Sequence, residues 1–179
     1  MEYLGRALGH VVLNGKCRLM AANQRHQDES VKTMFPRIRR ALVVDDAKPM
    51  RELIRIALGS FHCRDVIEVE DGTLAFGAAN IVSLEDGDLT DGSTDIVFLD
   101  WMMPMLDGIA CTKLIRSGGL DGFNADVPIV MVTARTEDEC ERTALDAGVT
   151  VFVKKPVSLR SLSAGIAEAL TKTPQKVLA

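Results

Sequence analysis

The sequence lacks the cysteine and histidine patterns that hold zinc ions or disulfide frameworks. No two cysteines form a C-x-x-C pair, no two histidines are close in sequence, and the adjacent His62 and Cys63 have no second pair of ligands at the spacing of a zinc site. We therefore expect reduced, partly buried thiols in a cytoplasmic protein, and no zinc site. The residues concerned are Cys17, Cys63, Cys111, Cys140, His10, His26 and His62.

Long hydrophobic runs and an excess of positive charge are also absent. No apolar stretch approaches the roughly 20 residues that a membrane-spanning helix needs. Glu2 and the early glycines argue against a secretory signal, so we expect no membrane association. The formal net charge of −4 disfavours nucleic-acid binding through bulk electrostatics. A G-x-G-x-x-G loop is missing, which disfavours a dinucleotide-binding enzyme.

Four short apolar runs each end in a chemically useful polar residue. Near-continuous runs of valine, isoleucine and leucine are typical of parallel strands that are buried on both faces of a sheet. Ligands of open parallel sheets bind at the carboxyl ends of the strands, so these polar residues are predicted to meet at one edge. The runs are 41–44 before Asp45 and Asp46, 96–99 before Asp100, 129–132 before Thr133, and 151–153 before Lys154 and Lys155.

Strands and helices alternate from Arg39 onward, which predicts an α/β domain of five βα units with helices on both faces of the sheet. The predicted strands are 40–45, 64–69, 95–100, 128–133 and 149–153, and the second suits a sheet edge because it is the most polar. The predicted helices are 48–59, 72–82, 108–117, 137–147 and one starting near Ser158. Asp107 is predicted to cap the third helix, and Thr136 with Glu139 to form a capping box on the fourth. Gly148 is predicted to end the fourth helix in a left-handed conformation.

The predicted domain covers residues 38–172. Residues 1–37 carry three glycines and a polar run without sustained periodicity, so we expect a poorly ordered extension there. Residues 173–179 are expected to be a C-terminal tail, and the loops at 83–94 and 118–127 are expected to be solvated.

Asp45, Asp46 and Asp100 can share a site only if the first and third strands are neighbours. Two carboxylates about 4 Å apart repel by about 4 kcal/mol at an effective dielectric of about 20, and a bound cation relieves this. Carboxylates suit Mg²⁺ or Mn²⁺, and such a cation suits a phosphoryl group. Lys155 adds a second positive charge and Thr133 a hydroxyl, so the pocket has the parts for phosphoryl transfer to an aspartate.

The chain resembles the receiver domain of two-component response regulators, a family related to the chemotaxis regulator CheY, over about residues 38–172. The resemblance is carried by LVVDD at 42–46, VEDG at 69–72, FLDWMMPMLDG at 98–108, IVMVTA at 129–134 and DAGVTVFVKKP at 146–156. It implies a flavodoxin-like, doubly wound fold with a five-stranded parallel sheet in the order 2-1-3-4-5.

The resemblance also implies a role for each residue of the acidic pocket. Asp100 is implied as the phospho-acceptor, Asp46 as a direct Mg²⁺ ligand, and Asp45 as a ligand that acts mainly through a metal-bound water. The backbone carbonyl of Met102 is implied as a further metal ligand, and Mn²⁺ is an alternative cation. Lys155 is implied to pair with the phosphoryl group, whereas Lys154 is expected to be a surface residue.

Three further residues are implied to bind the phosphoryl group or to switch. Thr133 matches a hydroxyl that moves toward the phosphoryl oxygen, and Ala134 matches the small residue that leaves room for an aromatic ring. Phe152 matches that ring, which swings inward when the hydroxyl moves. Phenylalanine stands where tyrosine is common, so a hydrogen-bonded lock on the ring is not expected. An ordinary strand-end hydroxyl at Thr133 and a simple core role for Phe152 are the structural alternatives.

The implied function is that of a single-domain response regulator rather than an enzyme, apart from its own phosphorylation and dephosphorylation. A histidine kinase or phosphotransfer protein would dock at the first helix and phosphorylate Asp100. A surface made of the fourth helix, fifth strand and fifth helix would then bind a downstream protein, and a homodimer through it is an open alternative. No DNA-binding domain is expected, because few residues follow residue 172.

Two other functions fit parts of the sequence. A binding module that ignores phosphorylation would read a nucleotide second messenger through Arg37, Arg39 and Arg40, but the complete pocket argues against it. A phosphatase of the haloacid dehalogenase type needs an acid two residues beyond its nucleophile, and that position is Met102.

Overall fold

The computed structural model describes residues 38–78, 94–118, 123–135 and 137–172, in which strands and helices alternate. The strands are β1 (Arg40–Val44), β2 (Asp65–Val69), β3 (Ile96–Asp100), β4 (Ile129–Thr133) and β5 (Val151–Lys154). The helices are α1 (Lys48–Gly59), α2 (Gly72–Ala78), α3 (Gly108–Arg116), α4 (Asp138–Asp146) and α5 (Leu159–Thr171). No helix of these described segments is long and apolar enough to cross a membrane.

The five strands form one parallel sheet in the order β2-β1-β3-β4-β5, which confirms the predicted fold class. Every residue of β1, β3 and β4 is buried, as their continuous apolar runs predict. The more polar β2 lies at an edge, and its residues are only half-buried. The connection that leaves β1 runs toward the β2 edge and the one that leaves β3 runs toward the β5 edge, so the carboxyl ends of β1 and β3 flank the crevice at which such sheets bind ligands.

The core has two layers, one on each face of the sheet, because successive strand residues point to opposite faces. Helices α1 and α5 cover one face, and their contacts include Val43, Phe98 and Val153. Helices α2, α3 and α4 cover the other face, around Leu99 and Met131. This arrangement confirms the prediction of helices on both faces.

Local signals explain where most helices begin. Pro49 lies in the first turn of α1, where the missing amide costs no hydrogen bond. The Asp107 carboxylate accepts a hydrogen bond from the Ala110 amide at 2.7 Å, which confirms the predicted cap of α3. Helix α5 begins after Ser158, whose side chain forms a reciprocal capping box with Ser161.

Helix α4 begins one residue later than the predicted capping box requires. The N-cap of α4 is Glu137, which makes no side-chain capping bond, and the predicted cap Thr136 lies outside the described residues. Acidic residues in the first turn favour this helix start through the helix dipole instead. Gly148 has φ +102° at the end of α4, as predicted.

The start of β5 also differs from the prediction, since the strand begins at Val151 rather than at residue 149 and includes Lys154. The Val149 amide donates to the Ala144 carbonyl at 3.0 Å, so this residue closes α4 instead of starting the strand. The predictions for residues 1–37, 79–82 and 173–179, and for most of the two long loops, lie outside the described residues.

Candidate functional site

Strand alternation brings three charged side chains to the same side of the sheet. Val43, Phe98 and Val153 belong to the layer covered by α1 and α5. A residue two positions further along a strand points to the same side as the first. The residues at these positions are Asp45, Asp100 and Lys155.

The Lys155 ammonium joins two of the predicted acids. Its Nζ lies 2.5 Å from Oδ2 of Asp100 and 3.1 Å from Oδ2 of Asp45. The two carboxylates are nearly buried, with 1% exposure for Asp45 and 6% for Asp100. Asp46 is exposed, and one carboxylate oxygen from each of the three acids lies within 4.8 Å of the others. The structure thus brings together the four charged residues that the sequence predicted.

Backbone amides hold the remaining oxygens of the two buried acids. The Ala47 amide donates to Oδ1 of Asp45 at 2.8 Å, and the Met102 amide donates to Oδ1 of Asp100 at 3.1 Å. Each buried carboxylate therefore has one oxygen fixed by its own loop and the other on Lys155. Met102 joins the site through its amide, while its side chain is 61% exposed.

The pKa values of Asp45 and Lys155 are both raised, but for different reasons. Burial raises the pKa of Asp45, against the lowering effects of the Ala47 amide and Lys155. Burial by itself would lower the pKa of Lys155, but hydrogen bonds and charge from Asp100 and Asp45 outweigh it and raise that pKa. Lys155 is therefore held in its charged form. One ammonium faces three carboxylates, which leaves the site with an excess of negative charge when all are ionised.

The donor set fits a hard divalent cation. Carboxylate oxygens are the ligands that Mg²⁺ and Mn²⁺ take, and no thiol or imidazole belongs to the cluster. The exposed Asp46 carboxylate accepts no hydrogen bond from the described part of the chain, so its oxygens are open to a ligand. The described residues therefore meet the chemical requirements of Mg²⁺ on the protein side.

Gly108 allows α3 to begin against the end of β3. Its amide donates to the Trp101 carbonyl at 3.0 Å, and a Cβ at this position would collide with the carbonyl oxygen of Asp100. Any larger residue would displace the backbone that carries the Asp100 side chain.

The residues predicted to switch lie next to this cluster in the chain. Thr133 is fully buried at the end of β4, and its hydroxyl accepts a hydrogen bond from the Arg135 amide rather than bonding the three acids within the described segments. Its carbonyl accepts a hydrogen bond from the Lys155 amide at 2.7 Å. Ala134 is exposed, and Phe152 is half-buried against the layer that contains Met131.

Lys154 points away from the acids, as the sequence predicted for a surface residue. Its Nζ lies 3.3 Å from Oε2 of Glu141 and 3.9 Å from Oδ1 of Asp138, both on α4. Lys154, the last residue of β5, and Lys155, which follows it, therefore lie on opposite sides of the sheet.

Arg51 also contacts the site, although the sequence prediction does not include it. This arginine is buried, and it donates a hydrogen bond to the Asp45 carbonyl at 2.8 Å. The sequence does contain a signal for it. Arg51, Ile54 and Leu58 occupy positions i, i+3 and i+7 of one helix face, so Arg51 places a charge within the buried stripe of α1.

The arginines suggested for a second messenger are mostly engaged elsewhere. Arg39 pairs with Asp95 at 3.5 Å, and Arg40 is buried and pairs with Asp65 at 2.6 Å. Arg37 lies outside the described residues. The binding-module hypothesis therefore gains no support from this cluster.

Comparison with known proteins gives a consistent match. The sequence pattern of the response regulator receiver domain matches residues 41–167. The chain is 31% identical over 134 residues to the phosphate regulon transcriptional regulatory protein PhoB of Pseudomonas aeruginosa, covering 74% of this chain and 52% of that protein. It is 32% identical over 128 residues to PhoB of Escherichia coli, covering 72% and 50%. The chain spans about half the length of these curated relatives.

Solved structures show the same similarity in three dimensions. The receiver domain of the Francisella response regulator 1452 superposes with a TM-score of 0.58 at 26% identity, covering 75% of this chain and 99% of that one. The chemotaxis response regulator CheY4 of Vibrio cholerae superposes with a TM-score of 0.60 at 23% identity, covering 74% and 99%. The second likeness concerns the fold alone.

Proposed function

Because this chain belongs to the family of response regulator receiver domains, we propose that Asp100 accepts a phosphoryl group from a phosphohistidine. The family is a signalling switch rather than a classical enzyme. One observation carries the proposal: Asp100 ends β3 beside Asp45 and Asp46, with one oxygen on the Met102 amide and the other on Lys155.

The proposed metal ligands are the carboxylates of Asp45, Asp46 and Asp100 and the carbonyl of Met102. Asp46 is proposed as the direct ligand and Asp45 as a ligand acting mainly through a water. Mg²⁺, or Mn²⁺ in its place, would supply positive charge to the phosphoryl oxygens. The excess negative charge of the cluster supports this assignment.

In the proposed step, a carboxylate oxygen of Asp100 attacks the phosphorus of the phosphohistidine. A P–O bond forms, the P–N bond breaks, and its electron pair stays on the imidazole nitrogen, which takes a proton from solvent. Lys155 transfers its hydrogen bond from the Asp100 carboxylate to a phosphoryl oxygen. The raised pKa of Lys155 keeps the ammonium charged for this contact.

The proposed switch couples this step to the α4–β5–α5 surface, which is made of Asp138–Asp146, Val151–Lys154 and Leu159–Thr171. Thr133, with Ala134 beside it, would bind the phosphoryl oxygen, and Phe152 would move inward. Lys155 is hydrogen-bonded to the Thr133 carbonyl, so a shift of one residue displaces the other. Converting such a switch from about 1:99 to about 99:1 takes about 5.5 kcal/mol of differential free energy, which is within the range of several charge-assisted contacts.

The proposed partners are a histidine kinase or histidine phosphotransfer protein, docking at α1, and a downstream protein at the α4–β5–α5 surface. A homodimer through that surface is the alternative partner. A protein target is preferred to DNA for the matched residues because the chain carries a formal charge of −4. We place the protein in the cytoplasm, where the free thiols of Cys63, Cys111 and Cys140 stay reduced.

The test is phosphorylation by a small donor. The full chain is incubated with Mg²⁺ and acetyl phosphate or phosphoramidate, and its intact mass is measured with and without EDTA. We expect a gain of one phosphoryl mass that needs the metal and is absent in Asp100→Asn. Asp138→Asn removes a fully exposed acid of α4 and should behave as the wild type. A wild-type protein that gains no mass with any metal would favour a phosphorylation-independent module.

A further inference from the structure

Arg51 is a buried cation that takes no part in the proposed chemistry. Its side chain is only 8% exposed, and it lies on the face of α1 that packs on the sheet. A buried guanidinium is costly unless its donors are satisfied, so its partners identify what it does.

The partners of Arg51 are the main chain of the two metal-site acids and two glutamates of the edge strand. Nη1 donates to the Asp45 carbonyl at 2.8 Å and more weakly to the Asp46 carbonyl at 3.4 Å. Nη2 donates to Oε1 of Glu70 at 3.1 Å, whereas the buried Nε makes no hydrogen bond within the described segments and is compensated only by the charge of Glu68, whose Oε2 lies 3.6 Å away. The guanidinium thus joins the end of β1 to the end of β2.

These contacts fix the segment that aims the Asp45 and Asp46 carboxylates. Hydrogen bonds to both carbonyls restrain the main-chain conformation of the segment from which the two carboxylates project. Ala47, the N-cap of α1, supplies no side-chain hydrogen bond, so the first turn of α1 does not hold the segment by an ordinary cap. The buried Asp45 carbonyl would also lose a donor if Arg51 were removed.

The glutamates orient the guanidinium. Glu68 and Glu70 are two positions apart on the chain and project to the same side as Val43, the strand partner of Glu68. Val43 belongs to the layer under α1, so both carboxylates are directed toward the helix that carries Arg51. Glu68 has a 26% exposed side chain and is the better screened of the two from water.

We propose that Arg51 is a positioning residue for the divalent-metal site. It holds the main chain of Asp45 and Asp46 in the geometry that binds the cation, and it contacts neither the cation nor the phosphoryl group. This inference rests on the proposed function. Removing a residue that orients metal ligands without binding the metal itself lowers metal affinity by about 10-fold to 100-fold. We expect a loss of that size when Arg51 is replaced.

The test is a Mg²⁺ titration of the full chain, followed by the emission of Trp101, the single tryptophan, which is adjacent to Asp100. Arg51→Met should raise the Mg²⁺ Kd about tenfold or more. Arg51→Lys keeps a charge and fewer donors, so its Kd should lie in between. The matched control is Arg55→Met, because Arg55 lies one turn further along α1 and pairs with Glu68 at 3.2 Å but is exposed. Its Kd should be unchanged.

A thermal readout separates positioning from plain stability. The Tm of each protein is measured without Mg²⁺ and with one fixed concentration of Mg²⁺ that saturates the wild type. The metal should raise the Tm of Arg51→Met less than that of the wild type, because the rise depends on Kd. A lower Tm with an unchanged Kd would overturn the proposal. If Arg51→Met does not fold, the Mg²⁺ Kd of Arg51→Lys is the test instead. A Kd equal to that of the wild type in this variant would also overturn the proposal. A wild-type chain that binds no Mg²⁺ would instead overturn the proposed function and this inference with it.

Discussion

The Lys155 ammonium lies 2.5 Å from Oδ2 of Asp100, and this contact joins two residues that are 55 positions apart in the chain. The same ammonium reaches Asp45, so one side chain compensates two nearly buried acids. Lys154 makes ion pairs too, but on the exposed side of β5. The two neighbouring lysines therefore offer a natural comparison.

Lys155→Met should destabilise the metal-free protein by about 1 to 3 kcal/mol, because it leaves two buried carboxylates without their common cation. Lys154→Met removes only a half-exposed pair and should cost less than about 1 kcal/mol. Urea unfolding at pH 7 in EDTA measures both values. Equal losses of unfolding free energy in the two variants would mean that the buried contacts of Lys155 stabilise the fold no more than the exposed pairs of Lys154.

Gly108→Ala should destabilise the fold by about 1 to 3 kcal/mol, since the added methyl group would collide with the Asp100 carbonyl oxygen. It should also slow labelling by acetyl phosphate. Gly77→Ala is the control, because a Cβ at this helical position meets no atom within 4 Å. That substitution should stabilise α2 by up to about 1 kcal/mol. An unchanged free energy of unfolding for Gly108→Ala in chemical denaturation would contradict the close approach of residue 108 to the Asp100 carbonyl.

Stability should fall at alkaline pH because of the buried thiols. Burial raises the pKa of Cys63 to about 11 and that of Cys111 to about 12, against an ordinary value of 9.0. The unfolded chain then releases these protons first, so the thiols stabilise the fold below pH 9 and lose that effect as pH rises through 11 and 12. For Cys63 the two-unit difference corresponds to about 3 kcal/mol.

The measurement is urea unfolding between pH 8 and about 11 with a reductant present. Cys63→Ala should start from a lower stability and decline less steeply than the wild type. Parallel curves for the two proteins would show that the Cys63 thiol ionises alike in the folded and unfolded chains.

The Arg135 guanidinium lies over the Trp101 ring, 5.1 Å from its centre, and Trp101 is only 9% exposed. Arg135→Ala should therefore increase quenching of the tryptophan emission by acrylamide, with a stability loss of at most about 1 kcal/mol. Arg142→Ala, an exposed arginine of α4, serves as the control. Identical quenching in both variants would show that Arg135 does not shield the ring in solution.

Much of the site followed from the sequence for a simple physical reason. Buried parallel strands leave long apolar runs, and the residue after each run must lie at the carboxyl edge. The alternation of strand residues then separates Lys155 from Lys154, since Val153 and Lys155 share a side of the sheet. Asp45 and Asp100 follow the same rule.

Other features depended on contacts that no local pattern carries. Val149 looks like strand, but its amide is used to close α4, so β5 begins later. The fourth helix starts at an uncapped Glu137 in spite of a suitable capping sequence. The spacing along α1 places Arg51 in the buried stripe, but its pairing with Glu68 and Glu70 at the edge of the sheet follows only from the fold.

Lys154 and Lys155 are joined by one planar amide, yet their ammonium groups lie on opposite sides of the sheet, one with Glu141 and the other with Asp100. One step of the main chain therefore connects the buried acids with the side of the sheet on which Lys154 pairs with α4. In the proposed switch, a displacement of Lys155 toward a phosphoryl oxygen would reach Lys154 and its partners on α4 through this single step of the main chain.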